Sequence, residues 1–172
     1  MSLSDLIRVN THYTRSINME RDVGSLSVVG AYIPTTRALS TLDTMADAFM
    51  DDESPRSWSL VGPYGSGKSS FAVFLTHLLG NPSSPATKSA TKKLREFDTE
   101  IAKKYTALSM STSGYCTVLL TGSPESLAKR LIESLAQAAE AVWAKKRGSS
   151  PAIVKRLRLI AERNDLPSAS EI

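Results

Sequence analysis

The chain has 172 residues, of which 41% are hydrophobic and 22% are charged, and its formal net charge is +4. This length suffices for one substantial core, and the composition is close to globular averages, which argues against wholesale disorder. Because no apolar run reaches the roughly 18 residues that span a bilayer and no secretory signal is recognisable, we expect a cytoplasmic protein without membrane contact.

The first two segments are predicted to be an arm and a helix. Residues 1–35 have no sustained periodicity and are predicted to form an amino-terminal arm, in which 26–33 is either a strand or an extended stretch. Pro34 ends that stretch. From residue 36 to residue 50, apolar side chains recur at helical spacing and predict a helix packed against a core.

A strand, a glycine-rich loop and a helix are predicted next. Residues 58–61 are a short apolar run typical of a buried strand, and the apolar side chains of 71–78 recur on one helical face. Between them, Gly62, Gly67, Lys68 and Ser69 match the Walker A motif, or P-loop, at every defined position. The alternative is a glycine-rich turn without a ligand.

The chemistry of this loop predicts binding of ATP with Mg²⁺. Glycines permit the backbone torsions by which successive N–H groups surround phosphate, and a following helix adds its positive dipole end. Lys68 is expected to contact the β- and γ-phosphates, and the hydroxyl of Ser69 is expected to coordinate Mg²⁺. The predicted binding residues are Gly62, Pro63, Tyr64, Gly65, Ser66, Gly67, Lys68, Ser69 and Ser70.

The second half of the chain predicts three more helices and one strand. Residues 84–108 are predicted to form one long helical insertion, whose interspersed charges favour a solvated surface over a binding patch. Residues 115–121 are rich in β-branched and apolar side chains and predict a strand, and a helix is expected from Ser123 to 148. A final basic helix, 149–172, is either a surface for nucleic acid or an acidic partner, or a helix that packs elsewhere in a longer protein.

The predicted order of elements gives an α/β fold of the P-loop NTPase class, with a partial parallel sheet flanked by helices. Residues 36–148 are its predicted nucleotide-binding core. The acidic residue that ends a Walker B strand is missing from the run 118–122, so catalytic residues stay unassigned. We therefore expect an incomplete module that continues in a longer protein.

Two resemblances accompany the motif. The order of Tyr32-Ile33-Pro34, helix, acidic connection, strand and P-loop resembles the start of AAA+ ATPases of the initiator type and of STAND ATPases. That resemblance implies that Tyr32, Ile33 and Pro34 lie beside the adenine; the alternative is plain packing of the arm. Residues 58–72, with 118–127, are similar to large bacterial ATP-binding proteins of defence and mobile-element genes, which implies ATP binding and a DNA-related role.

Three functions follow as alternatives. The first is a fragment of an AAA+ or STAND-like ATPase that couples ATP binding and hydrolysis to conformational change. The others are a small nucleotide or nucleoside kinase and a non-catalytic module whose assembly depends on nucleotide. Oligomerisation or protein partners are compatible with these functions, whereas nucleic acid is compatible with the charge but has no supporting motif. Cys116 is the one cysteine, which excludes an intrachain disulfide.

Overall fold

The protein is helical throughout the part that the structure describes. This computed structural model describes residues 17–122, 124–143 and 151–162. The chain divides into two compact units, Met1–Tyr115 and Cys116–Ile172. Within the described residues no strand forms. The predicted α/β fold with a partial parallel sheet is therefore wrong.

Six helices of the first unit are described: α1 Met19–Asp22, α2 Leu26–Ala31, α3 Thr36–Met50, α4 Lys68–Leu78, α5 Pro85–Arg95 and α6 Thr99–Thr112. The second unit contributes α7 Leu127–Trp143 and α8 Ala152–Ala161. None of these described helices is long and apolar enough to cross a membrane.

The helix predicted at 36–50 is confirmed, and two other predicted elements are replaced. Thr35 caps α3, since its hydroxyl accepts a hydrogen bond of 3.2 Å from the backbone N–H of Ala38. Residues 26–31, predicted to be a strand or an extended stretch, form α2. The long helix predicted at 84–108 is two helices, because Asp98 accepts hydrogen bonds of 2.9 Å from the N–H groups of Glu100 and Ile101 and so begins α6.

The core of the first unit lies among α3, α4, α5 and α6, with α2 against α4 and α5. Tyr105 is fully buried there, and its hydroxyl donates a hydrogen bond of 2.9 Å to the carbonyl oxygen of Leu42. At the edge of this core, Lys104 bridges α6 to α3 through Asp43 at 2.7 Å and Asp47 at 2.5 Å. The largest other fully buried side chains are Phe74, Leu42, Leu78, Leu94, Val29 and Val73.

The two segments that were predicted to be strands are present as irregular chain. Residues 55–63 and 114–122 form no helix and no β-bridge within the described residues, and Val61 is 92% exposed. A strand is stable only when a neighbouring strand takes up its N–H and C=O groups, and β-propensity expresses that packing rather than an intrinsic preference of the backbone. Without such a neighbour, apolar composition alone does not make a sheet.

The second unit is a pair of packed helices, α7 and α8. Ala136, Ala139 and Val154 are its buried apolar residues among those described. The guanidinium of Arg158 lies 3.0 Å from the carboxylate of Glu140, which joins the two helices at the surface. The predicted cap at Ser123 and the predicted basic helix end at 145–148 lie outside the described residues.

Candidate functional site

The backbone of the glycine-rich loop (residues 62–70) has the torsions that its glycines predict. Gly65 and Gly67 have φ of +78° and +83°, in the left-handed region that side chains with a Cβ rarely adopt. The N–H of Ser66 donates to the carbonyl oxygen of Pro63 at 3.3 Å and closes the turn. Gly67 is the residue before α4, and no side chain caps that helix end. The N–H groups at the start of α4 are thus left to an external acceptor.

Lys68, the first residue of α4, turns back over this loop. Its ammonium donates to the carbonyl oxygens of Gly62 and Pro63, each at 2.8 Å, and lies 3.3 Å from the hydroxyl of Ser66. Gly62 faces the same hydroxyl, because a Cβ built on it would lie 3.1 Å from the Oγ of Ser66. The loop therefore closes around the lysine nitrogen.

The remaining predicted binding residues differ in their access to solvent. Tyr64 is 92% exposed at the tip of the loop. Ser69 is half-buried, and its hydroxyl forms no hydrogen bond with another described residue. Ser70 is buried on the core side of α4. The structure thus brings Gly62, Ser66 and Lys68 together, leaves Ser69 open to a ligand and turns Ser70 toward the core.

The chain before the loop is supported by aromatic contacts instead of a sheet. The ring of Phe49, at the end of α3, lies 5.6 Å from the ring of Trp58 and 5.3 Å from the ring of Tyr115. Tyr115 is fixed in turn by its N–H, which donates to the carbonyl oxygen of Leu79 at 2.8 Å. Phe49 therefore brings Trp58 and Tyr115 to one place without strand pairing.

No protein-family model, curated protein or solved structure matches this chain. The resemblance to AAA+ and STAND ATPases, and to the ATP-binding proteins of bacterial defence genes, is therefore wrong: no family match supports it, and the described fold is helical without a sheet. The description of the chain as a P-loop ATPase is overturned with it. The loop's residues and geometry remain, and ATP binding is a prediction that rests on them.

Of the three residues that the resemblance placed beside the adenine, Tyr32 and Pro34 are buried and Ile33 is exposed. Tyr32 is 8% exposed, and its ring packs on Phe74 with ring centroids 4.6 Å apart. Ile33, by contrast, is 69% exposed. The position of Tyr32 agrees with the alternative of plain packing, in which it belongs to the core.

A second concavity, which the sequence did not predict, lies at the other end of α4. A cavity of about 520 Å³, widely open to solvent, lies among the turn after α4, helix α5 and helix α6, and it is lined in part by Lys88, Lys92 and Arg95. The signal in the sequence is their spacing of four and three residues, which places them on one face of a helix.

Within the described residues, no cluster of three or more His, Cys, Asp or Glu side chains could hold a metal ion.

Proposed function

We propose that the glycine-rich loop binds the phosphate groups of a nucleoside triphosphate together with Mg²⁺, and that ATP is the nucleotide to test first. The observation that carries the proposal is the position of Lys68, whose ammonium is held over the loop by the carbonyl oxygens of Gly62 and Pro63. Phosphate oxygens are stronger acceptors for an ammonium than neutral carbonyls, because both partners are then charged.

The location of this lysine is electrostatically unfavourable unless an anion binds. Lys68 begins an α-helix of 11 residues, and a positive charge at a helix amino terminus opposes the helix dipole. An arriving phosphate would interact favourably with both the ammonium and the free N–H groups of the first turn. One bound phosphate would therefore neutralise the ammonium of Lys68 and accept hydrogen bonds from the free N–H groups of the first turn.

Ser69 is the residue that we assign to the metal. Its side chain follows Lys68 directly, is half-buried, and has no hydrogen bond to another described residue. A hydroxyl oxygen is a suitable ligand for Mg²⁺, which usually reaches such sites carried by the phosphates of the nucleotide. We expect Ser69 to supply one oxygen ligand to that ion. We propose binding alone and assign no catalytic residue.

Calorimetric titration of the full chain with ATP and Mg²⁺ tests the proposal. We expect saturable binding that falls roughly tenfold or more in Lys68→Ala, because a hydrogen bond to a charged group contributes about 1.5–3 kcal/mol. Lys103→Ala is the matched control, since it removes an exposed lysine that pairs with Glu100 at 2.7 Å. Absence of binding by the folded chain, or equal affinity of Lys68→Ala, would overturn the proposal.

A further inference from the structure

The cavity at the carboxyl end of α4 is lined on one side by three basic residues. Lys88, Lys92 and Arg95 occur at positions i, i+4 and i+7 of α5, so that they share a face of the helix. They are exposed, and within the described part of the chain none of them forms an ion pair. No acidic residue is among the described residues that line the cavity.

The neighbouring lysines on the same two helices behave differently. Lys93 lies 2.9 Å from the carboxylate of Glu96, and Lys103 lies 2.7 Å from that of Glu100. Lys104 is paired with the carboxylates of α3. None of the acids in these ion pairs lines the cavity, and the three cavity cations form no ion pair with a described residue.

The three positive charges repel one another, and a bound anion would reduce that repulsion. Like charges four residues apart on a helix destabilise it slightly, and here they line one side of a concave surface that concentrates their potential. The charges are spread over roughly 10 Å of helix axis, given a rise of 1.5 Å per residue. An anion with several charged groups fits such a row better than a single small ion does.

Neutral hydrogen-bonding groups also line the cavity, beside the apolar side chains of Pro82 and Met110. The hydroxyl of Thr91 forms no hydrogen bond with another described residue, and Thr87 and Ser109 are buried at the cavity wall. Thr91 lies between Lys88 and Lys92 in the sequence and lines the cavity with them. It can donate to an anion oxygen that the cations hold.

We propose that this cavity binds a small ligand carrying more than one phosphate group. Its volume of about 520 Å³ lies within the range of small-molecule sites, roughly 300–1,000 Å³. The described lining includes no aromatic side chain on which a base could stack, and this favours a small polyphosphate over single-stranded nucleic acid. The cavity is separate from the glycine-rich loop, because the 11 residues of α4, roughly 16 Å of helix, lie between them.

Inorganic tripolyphosphate is the probe for this site. The titration is followed by amide chemical shifts in the Lys68→Ala variant, which weakens binding at the glycine-rich loop, so that the amides of the cavity report on the cavity alone. Sodium chloride holds the ionic strength constant. We expect saturable shifts at the amides of Thr87, Thr91 and Ser109. Since one exposed charge pair changes affinity by up to about fivefold, Lys92→Gln with Arg95→Gln should weaken binding roughly fivefold to thirtyfold.

The matched control removes two other positive charges from the same helices. Lys93→Gln with Lys103→Gln changes the net charge equally but leaves the cavity cations in place, and it should alter the affinity by less than about twofold. Equal weakening by both pairs of substitutions, or shifts that do not saturate, would overturn the proposal. Tighter binding of a single-stranded oligonucleotide than of tripolyphosphate would also overturn it, if that binding depends in the same way on Lys92 and Arg95. The cavity would then be part of a nucleic-acid surface.

Discussion

The hydroxyl of Tyr105 in α6 donates a hydrogen bond of 2.9 Å to the carbonyl oxygen of Leu42 in α3, and both residues are fully buried. Burial raises the pKa of Tyr105 far above its ordinary range, with a smaller contribution from Asp43, so that the phenol stays protonated and remains a donor. The contact therefore joins two helices of the core with one defined polar interaction.

Removal of this hydroxyl should weaken the fold measurably. We expect Tyr105→Phe to lower the free energy of unfolding by about 1 kcal/mol, the usual net value of one intramolecular hydrogen bond. Tyr105→Ala should cost about 3–5 kcal/mol, since it also leaves a cavity. Urea unfolding followed by circular dichroism measures both values. Tyr115→Phe is the control, because the hydroxyl of Tyr115 forms no hydrogen bond with another described residue, and it should change stability little. Equal effects of the two phenylalanine substitutions would contradict the assignment.

The helices of this core were predictable because burial of one helical face leaves a period in the sequence. Leu42 and Ala46 are both fully buried on α3, at the spacing of four that predicted the helix. The backbone of the glycine-rich loop was predictable for a related reason, since Gly65 and Gly67 are found at the positive φ that glycine tolerates. In both cases a local rule and the tertiary structure agree.

The sheet could not be predicted correctly, because strands depend on partners that no local pattern reveals. The segments 58–61 and 115–121 have suitable composition, yet Val61 is 92% exposed and no described segment pairs with them. The break between α5 and α6 was missed for a different reason. The apolar period continues through Phe97, which is 41% exposed, and the capping carboxylate of Asp98 decides the boundary instead.

Gly114 and Gly65 give a matched test of backbone strain against steric contact. Both have positive φ, +88° and +78°, but a Cβ on Gly114 would lie 2.5 Å from the N of Asn81, whereas one on Gly65 would meet no atom within 4 Å. We expect Gly65→Ala to cost about 1–2 kcal/mol and Gly114→Ala roughly 2–5 kcal/mol, because the second substitution adds a backbone clash.

Thermal and urea unfolding of the two alanine variants measure this difference. The variant Gly65→Ala serves as the control for torsional strain alone. A Gly114→Ala variant as stable as Gly65→Ala would show that the backbone at Gly80 and Asn81 moves aside without cost.

The capping carboxylate of Asp98 should be worth about 1 kcal/mol to the fold. Its oxygen accepts from two backbone N–H groups at 2.9 Å, and alanine at such a position leaves both without that partner. Asp98→Ser is the control, because a serine hydroxyl can also cap a helix. Urea unfolding should rank wild type and Asp98→Ser above Asp98→Ala. Equal stability of Asp98→Ala and Asp98→Ser would mean that α6 begins without help from this side chain.

We expect the free energy of unfolding to depend on pH through His77. Its Nε2 lies 2.6 Å from the carbonyl oxygen of Val23 and joins α4 to the chain after α1. Burial lowers the pKa of His77 from its ordinary 6.5, and the hydrogen bond to Val23 opposes that shift in part. The unfolded chain therefore binds a proton more readily than the folded chain in the interval between the two pKa values.

The fold should therefore lose stability through His77 as the pH falls. Above pH 6.5 the imidazole of His77 is neutral in both the folded and the unfolded state, so its titration does not change stability. As the pH falls below 6.5, the unfolded state takes up the proton first and the free energy of unfolding decreases. This loss ends once the pH lies below the pKa of His77 in the folded state. Urea unfolding of wild type and His77→Gln at about pH 7.5 and about pH 5.5 measures the effect, since glutamine can donate to Val23 but does not titrate. Carboxylates contribute equally to both proteins, so the difference between them isolates His77. We expect wild type to lose more stability than His77→Gln at the lower pH, and an unchanged difference between the two proteins would contradict the assignment.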